Sequence, residues 1–146
     1  MRRRGILGTV IAAACVLALA GTPAADKVGF VLIVHPDNPV ASVDDDFLRG
    51  AYLKRASRWS DGTTVRPLDL PARFPARDEF TRKVLRKTPA QLRAYWNQQI
   101  FSGKGVPPPE ADSIEAAISY VLANPGAVGY LPTGAEPGGA KVILLE

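Results

Sequence analysis

The pattern of apolar and polar positions predicts strands that alternate with helices. Short apolar runs at 27–34, 127–131 and 141–145, rich in Val, Ile and Leu, are typical of buried strands. The first run has no polar alternation, which indicates a strand buried on both faces. Residues 64–70 alternate and predict another strand, but Pro67 within them favours an edge or broken strand.

Apolar residues at helical spacing fill the intervals between these strands. Four helices are predicted, and the second should begin at about Ala76. The other three carry a capping pair, in which a polar side chain bonds an early backbone N–H and a residue three positions on reciprocates. These pairs are Ser42 with Asp45, Thr88 with Gln91, and Asp112 with Glu115. The order of elements predicts an α/β fold, with a small mixed or parallel sheet flanked by helices.

The N-terminal segment has the layout of a secretory signal peptide. Three arginines at 2–4 precede an uncharged apolar run at 6–20, and small residues follow. We expect a signal peptide over 1–24, one domain over 25–146, and a periplasmic or secreted protein. Cleavage after Ala20 or after Ala24 fits the pattern equally. A retained membrane anchor and a lipidated Cys15 are the alternatives.

Signal cleavage would change the charge and the cysteine content. It would remove Cys15, the only cysteine, and three basic residues, which lowers the net charge from +4 to +1. The mature domain would then have no disulfide and no thiol chemistry. A charge this low argues against nucleic-acid binding, for which a strong positive excess is typical.

Residue types that carry catalysis or hold metals are scarce. His35 is the only histidine and has no neighbouring cysteine or acidic pattern, so we expect no metal and no cofactor. Asp69 is the one carboxylate at a predicted strand end before a loop, a position where sites occur in α/β folds. Because no base, nucleophile or nucleotide loop accompanies it, the sequence predicts that the protein is not an enzyme.

Two sequence motifs, one in the middle of the chain and one near its end, together resemble a known family. The first is Ala51-Tyr52-Leu53-Lys54 followed by Trp59 and the Asp61-Gly62 turn, and the second is Gly126-Ala127-Val128-Gly129-Tyr130-Leu131. In this order and spacing they resemble the second lobe of the periplasmic phosphate-binding proteins of ABC importers, over roughly 31–131. The resemblance implies a single lobe of a periplasmic-binding-protein-like fold.

The phosphate-gripping loop of that family is altered in this chain. Phe74, Pro75 and Ala76 stand where the family has Ser, Gly and Thr, and Leu70 stands where it has an arginine. The hydroxyl donors are therefore absent, and a proline lacks the N–H that a helix N-terminus offers to an anion. Arg73 and Arg77 flank the loop and are the predicted anion-binding residues.

The resemblance thus implies a secreted substrate-binding-protein-like domain of a phosphate ABC transporter, in a degenerate or accessory form. We expect it to bind inorganic phosphate or another small anion weakly, or not at all. The alternative is a periplasmic interaction module without a small-molecule ligand, which binds another protein or a second copy of itself.

Overall fold

A computed structural model describes residues 29–146, and the predicted signal peptide lies outside them. The described residues form a five-stranded sheet and four α-helices. In chain order the elements are β1 (Phe30–Val34), β2 (Ser42–Val43), α1 (Asp45–Tyr52), β3 (Arg66–Pro67), α2 (Pro75–Lys83), α3 (Pro89–Phe101), α4 (Ile114–Ala123), β4 (Ala127–Pro132) and β5 (Lys141–Leu145).

The sheet is mixed, with strand order β2-β5-β1-β4-β3. The central strand β1 runs antiparallel to both β4 and β5, while the outer strands β2 and β3 run parallel to their neighbours. The predicted α/β class is confirmed. Strand β3 lies at one edge of the sheet and pairs with β4 through only two residues, Arg66 and Pro67. An edge position suits Pro67, because a proline has no N–H to donate to a second neighbouring strand.

Helices cover both faces of the sheet. Gly129 and Tyr130 are neighbours in β4, so their side-chain positions point to opposite faces. The Tyr130 ring stacks on Phe80 of α2, with ring centroids 4.0 Å apart. On the other face, a Cβ on Gly129 would lie 3.6 Å from the Val121 side chain of α4. Helix α4 therefore packs on the face of β4 opposite to α2.

The residues that carry the family resemblance are structural. The Tyr52 hydroxyl donates to the backbone oxygen of Leu68 over 2.7 Å, and the ring contacts Phe80. Trp59 Nε1 donates to the backbone oxygen of Gly126 over 3.0 Å, which joins the two motifs directly. Both side chains are buried. Their bulk and hydrogen bonds fix the core of this fold.

Two of the three predicted capping pairs are wrong. Ser42 lies in β2, and the N-cap of α1 is Asp44, whose carboxylate accepts from the backbone N–H groups of Asp46 and Phe47. Ser42 is held in extended backbone because it pairs with β5, so Asp44, the residue directly before the helix, is the one that caps it. The cap of α4 is Ser113, one residue beyond the predicted Asp112.

The capping box of Thr88 and Gln91 is confirmed in full. Helix α2 begins at Pro75, one residue before the predicted start, because proline suits the first helical position. On α3, Leu92 and Trp96 are buried as expected, but Ile100 of the same predicted face is half exposed.

Candidate functional site

A cleft of about 430 Å³ opens between α2, α3 and the proline-rich loop at 106–110. Its volume lies within the range of small-ligand sites. The lining combines charged, polar and apolar side chains: Asp69, Ala72, Arg77, Asp78, Thr81, Pro89, Leu92, Arg93, Trp96, Asn97, Ile100, Pro107, Pro108 and Glu110.

Asp69 lies at the inner end of the cleft, two residues after β3. Its Oδ1 accepts the Leu70 backbone N–H over 2.9 Å and also accepts the Tyr130 hydroxyl proton. The Asp69 backbone pairs with the proline-rich loop, since its N–H donates to Pro109 over 2.9 Å and its carbonyl accepts from Ala111 over 2.9 Å. Asp69 therefore ties the sheet edge to the loop that forms one wall of the cleft.

Arg77, in the first turn of α2, is surrounded by acceptors. Its Nη1 donates to Glu110 Oε1 over 2.7 Å and to the Leu70 backbone oxygen over 2.8 Å. Its Nη2 lies 3.3 Å from Asp69 Oδ2. One guanidinium thus faces two carboxylates, which leave a net negative charge in this cluster when all three groups are ionised.

The environment shifts the pKa values of three groups in the cluster. Burial raises the pKa of Asp69, although Arg77 and the Tyr130 hydroxyl partly offset that effect. Burial and the charge of Asp69 raise the pKa of Tyr130 far above its ordinary value, so Tyr130 stays protonated and acts as a donor. Burial lowers the pKa of Arg77, but Asp69 and Glu110 more than compensate, so this pKa is raised overall.

The two predicted anion-binding residues have separate partners. Arg77 lines the cleft, whereas Arg73 does not. The Arg73 guanidinium donates to the backbone oxygen of Asp112 and lies over the Phe74 ring, 5.0 Å from its centroid. The structure therefore does not bring the two guanidinium groups to one shared pocket.

The N-terminus of α2 offers few hydrogen-bond donors to an anion. Its N-cap residue Phe74 makes no side-chain cap, and Pro75 has no N–H. The backbone N–H of Arg77, two residues after Pro75, already donates to the Phe74 carbonyl over 3.0 Å. The Ala76 side chain at this turn is buried and carries no polar group.

Two residues of the cluster around Asp69 and Arg77 had no signal in the sequence. Glu110 follows three prolines, and only tertiary folding brings it to Arg77, 33 residues earlier. Tyr130 belonged to a family motif, but nothing in that motif indicated a bond to Asp69. Within residues 29–146 no group of three or more metal-ligating side chains is present, and no helix is long and apolar enough to span a membrane.

Solved structures of phosphate transport proteins have this fold. An ABC-type phosphate transport receptor from Vibrio cholerae is 17% identical over 81% of this chain and 46% of its own length, with a TM-score of 0.62. PstS from Borrelia burgdorferi is 11% identical over 82% of this chain and 47% of its own, also with a TM-score of 0.62. A Clostridium perfringens protein solved with bound phosphate is 18% identical over 81% of this chain and 45% of its own length, with a TM-score of 0.61.

This chain therefore has the fold of a periplasmic-binding-protein-like lobe and spans about half the length of the receptors it matches. The predicted fold resemblance is confirmed. Neither a protein-family model nor a curated protein matches the sequence significantly.

Proposed function

We propose that this protein is a solute-binding module related in fold to phosphate receptors, in a degenerate or accessory form that binds phosphate weakly or not at all. It acts by binding and not by catalysis. Its ligand face is the end of the lobe where the loop at 70–77 meets the cleft.

The state of Arg77 is the observation that carries this proposal. Its guanidinium is already engaged by Asp69, Glu110 and the Leu70 carbonyl. An incoming phosphate would have to displace Glu110 or approach it against like charge, which costs affinity. The short supply of N–H donors at Phe74 and Pro75 removes the other usual source of anion affinity.

Isothermal titration calorimetry of the purified protein with inorganic phosphate tests the proposal. We expect a dissociation constant well above the micromolar range, or no measurable heat. A sub-micromolar dissociation constant would contradict it.

Export is part of the same proposal. Arg2–Arg4 and the apolar run at 6–20 support a periplasmic or secreted location. N-terminal sequencing of the protein recovered from the periplasm or medium should begin at Gly21 or Ala25. Recovery of the uncleaved chain in the membrane fraction would argue for the anchor.

A protein-interaction module is the second candidate, and the exposed end of α3 favours it. Phe101 is 95% exposed, and Ile100 and Val106, which are one and five residues away in the sequence, are more than half exposed. Apolar side chains grouped in this way are typical of interaction surfaces. Sedimentation velocity over a range of concentrations should then show self-association that Phe101→Ser abolishes, whereas a strict monomer at every concentration argues against self-association.

A further inference from the structure

We infer that the cleft between α2 and α3 is a site for a small zwitterion with an apolar body, rather than for a simple anion. The inference rests on the proposed solute-binding function and names the ligand class of that site. It depends on which charged groups in the lining are already paired and which are not.

The paired charges lie deep in the cleft. Asp69 and Arg77 neutralise each other there, and the Asp69 side chain is only 8% exposed. These two groups are saturated by Tyr130, Leu70 and Glu110 and have little capacity for a further partner. They stiffen the wall without presenting a free charge to a ligand.

The available charges have opposite signs and come from different elements. Arg93 of α3 and Asp78 of α2 are exposed, and neither side chain forms an ion pair or hydrogen bond with any other residue of 29–146. Glu110 is 48% exposed and uses only Oε1 to bind Arg77, which leaves Oε2 available. The cleft therefore offers carboxylates from α2 and the proline-rich loop and one guanidinium from α3.

An apolar surface completes the lining. Leu92, Trp96 and Ile100 come from the same helix as Arg93, and Pro107 and Pro108 come from the loop that carries Glu110. A ligand with an ammonium group, a carboxylate and a hydrocarbon body would find a partner for each part. An inorganic oxyanion would meet the Arg93 guanidinium alone and would be repelled by the two available carboxylates, Asp78 and Glu110.

Matched probes separate these contributions. Two zwitterions, 6-aminohexanoate and leucine, cover a long and a short separation between the charges. Their singly charged analogues are hexylamine and hexanoate for the first, and 3-methylbutylamine and 4-methylpentanoate for the second. Calorimetric titration of the full protein should show at least one zwitterion binding about fivefold more tightly than both of its analogues, as one added, partly exposed charge contact provides.

Variants assign the two ends of the ligand. Arg93→Gln should reduce the affinity of the zwitterion to that of its amine, and Glu110→Gln should lower the affinity of the amine itself. Arg82→Gln is the control, because Arg82 is exposed on α2 and does not line the cleft. Thermal melts establish that each variant is folded.

The inference is overturned if neither zwitterion exceeds its analogues, if none of the six probes binds at millimolar concentration, or if Arg82→Gln has the same effect as Arg93→Gln. These results would leave the proposed weak phosphate binding intact. A sub-micromolar phosphate affinity of the wild type would instead defeat the proposed function.

Discussion

The Tyr130 hydroxyl donates its proton to the carboxylate of Asp69, and this bond joins the centre of β4 to the chain that follows β3. Both residues are buried. Because the acceptor is a carboxylate shielded from water, removal of the donor leaves a buried negative charge less compensated. The hydroxyl is therefore a structural support for the wall of the cleft.

Tyr130→Phe should lower the free energy of unfolding by about 1–3 kcal/mol, the range for a lost hydrogen bond to a buried charged group. Urea denaturation measures the change. Tyr120→Phe is the control, because the Tyr120 hydroxyl makes no hydrogen bond to any residue of 29–146 and should change stability little. Equal effects of the two substitutions would show that the Asp69 contact contributes nothing.

The identity of the α1 cap gives a second prediction. Asp44→Ala should destabilise the protein by about 1 kcal/mol, because two backbone N–H groups lose their acceptor. Ser42→Ala should cost much less, since Ser42 lies in β2 and does not cap the helix. A larger loss of stability from Ser42→Ala, measured by thermal or urea unfolding, would identify Ser42 as the cap of α1.

The sequence predicted most of the fold because its elements carry strong local signals. The apolar runs of β1, β4 and β5 and the capping box at Thr88 are readable from residue type and spacing alone. Ser42 and Asp44 can both cap a helix, and only the pairing of Ser42 with β5 decides between them.

The candidate site was much less predictable. The position of Arg77 beside the altered loop predicts an anion-binding role, but its partner Glu110 lies 33 residues further along the chain. Glu110 and Tyr130 reach this cluster through the parallel bridge between Asp69 and Glu110 and through the long-range pairing of β4. No local pattern encodes such contacts, so the neutralisation of Arg77 could only be seen in three dimensions.

Gly126 supplies a third prediction, because backbone packs directly against it. A Cβ at this position would lie 1.9 Å from the Thr64 backbone oxygen. Since backbone atoms cannot yield as a flexible side chain can, Gly126→Ala should lower stability by about 2 kcal/mol or more. Gly105→Ala, where a Cβ meets nothing within 4 Å, is the control. If both variants unfold at the same urea concentration as the wild type, the backbone at Thr64 must move away from residue 126 without loss of stability.

Asp69 should give the stability a characteristic pH dependence. Because burial raises its pKa above the ordinary 3.8, the folded state holds this proton more tightly than the unfolded chain does. The stability that this bound proton contributes is fully present below pH 3.8, and it is lost as the pH rises through the higher pKa of Asp69 in the folded state.

The stability of the wild type relative to Asp69→Asn should therefore fall across that interval. Urea unfolding at a series of pH values measures the difference, with Asp78→Asn as the control for an exposed carboxylate without a hydrogen-bond partner among residues 29–146. A relative stability that rises with pH would mean that attraction by Arg77 outweighs the cost of burial.

Glu110→Gln tests whether an internal carboxylate limits anion binding. The substitution removes one negative charge 2.7 Å from Arg77 but keeps a side chain of the same shape at the mouth of the cleft. Phosphate affinity should rise by about tenfold, which corresponds to about 1.4 kcal/mol.

Glu115→Gln removes the same charge from an exposed position on α4 that does not line the cleft, so it controls for the change in net charge. Calorimetry that finds equal phosphate affinities for the two variants would show that pairing with Glu110 does not restrain Arg77. A gain confined to Glu110→Gln, and lost again when Arg77→Gln is added, would show that Arg77 retains the capacity to bind an anion once its partner is neutral.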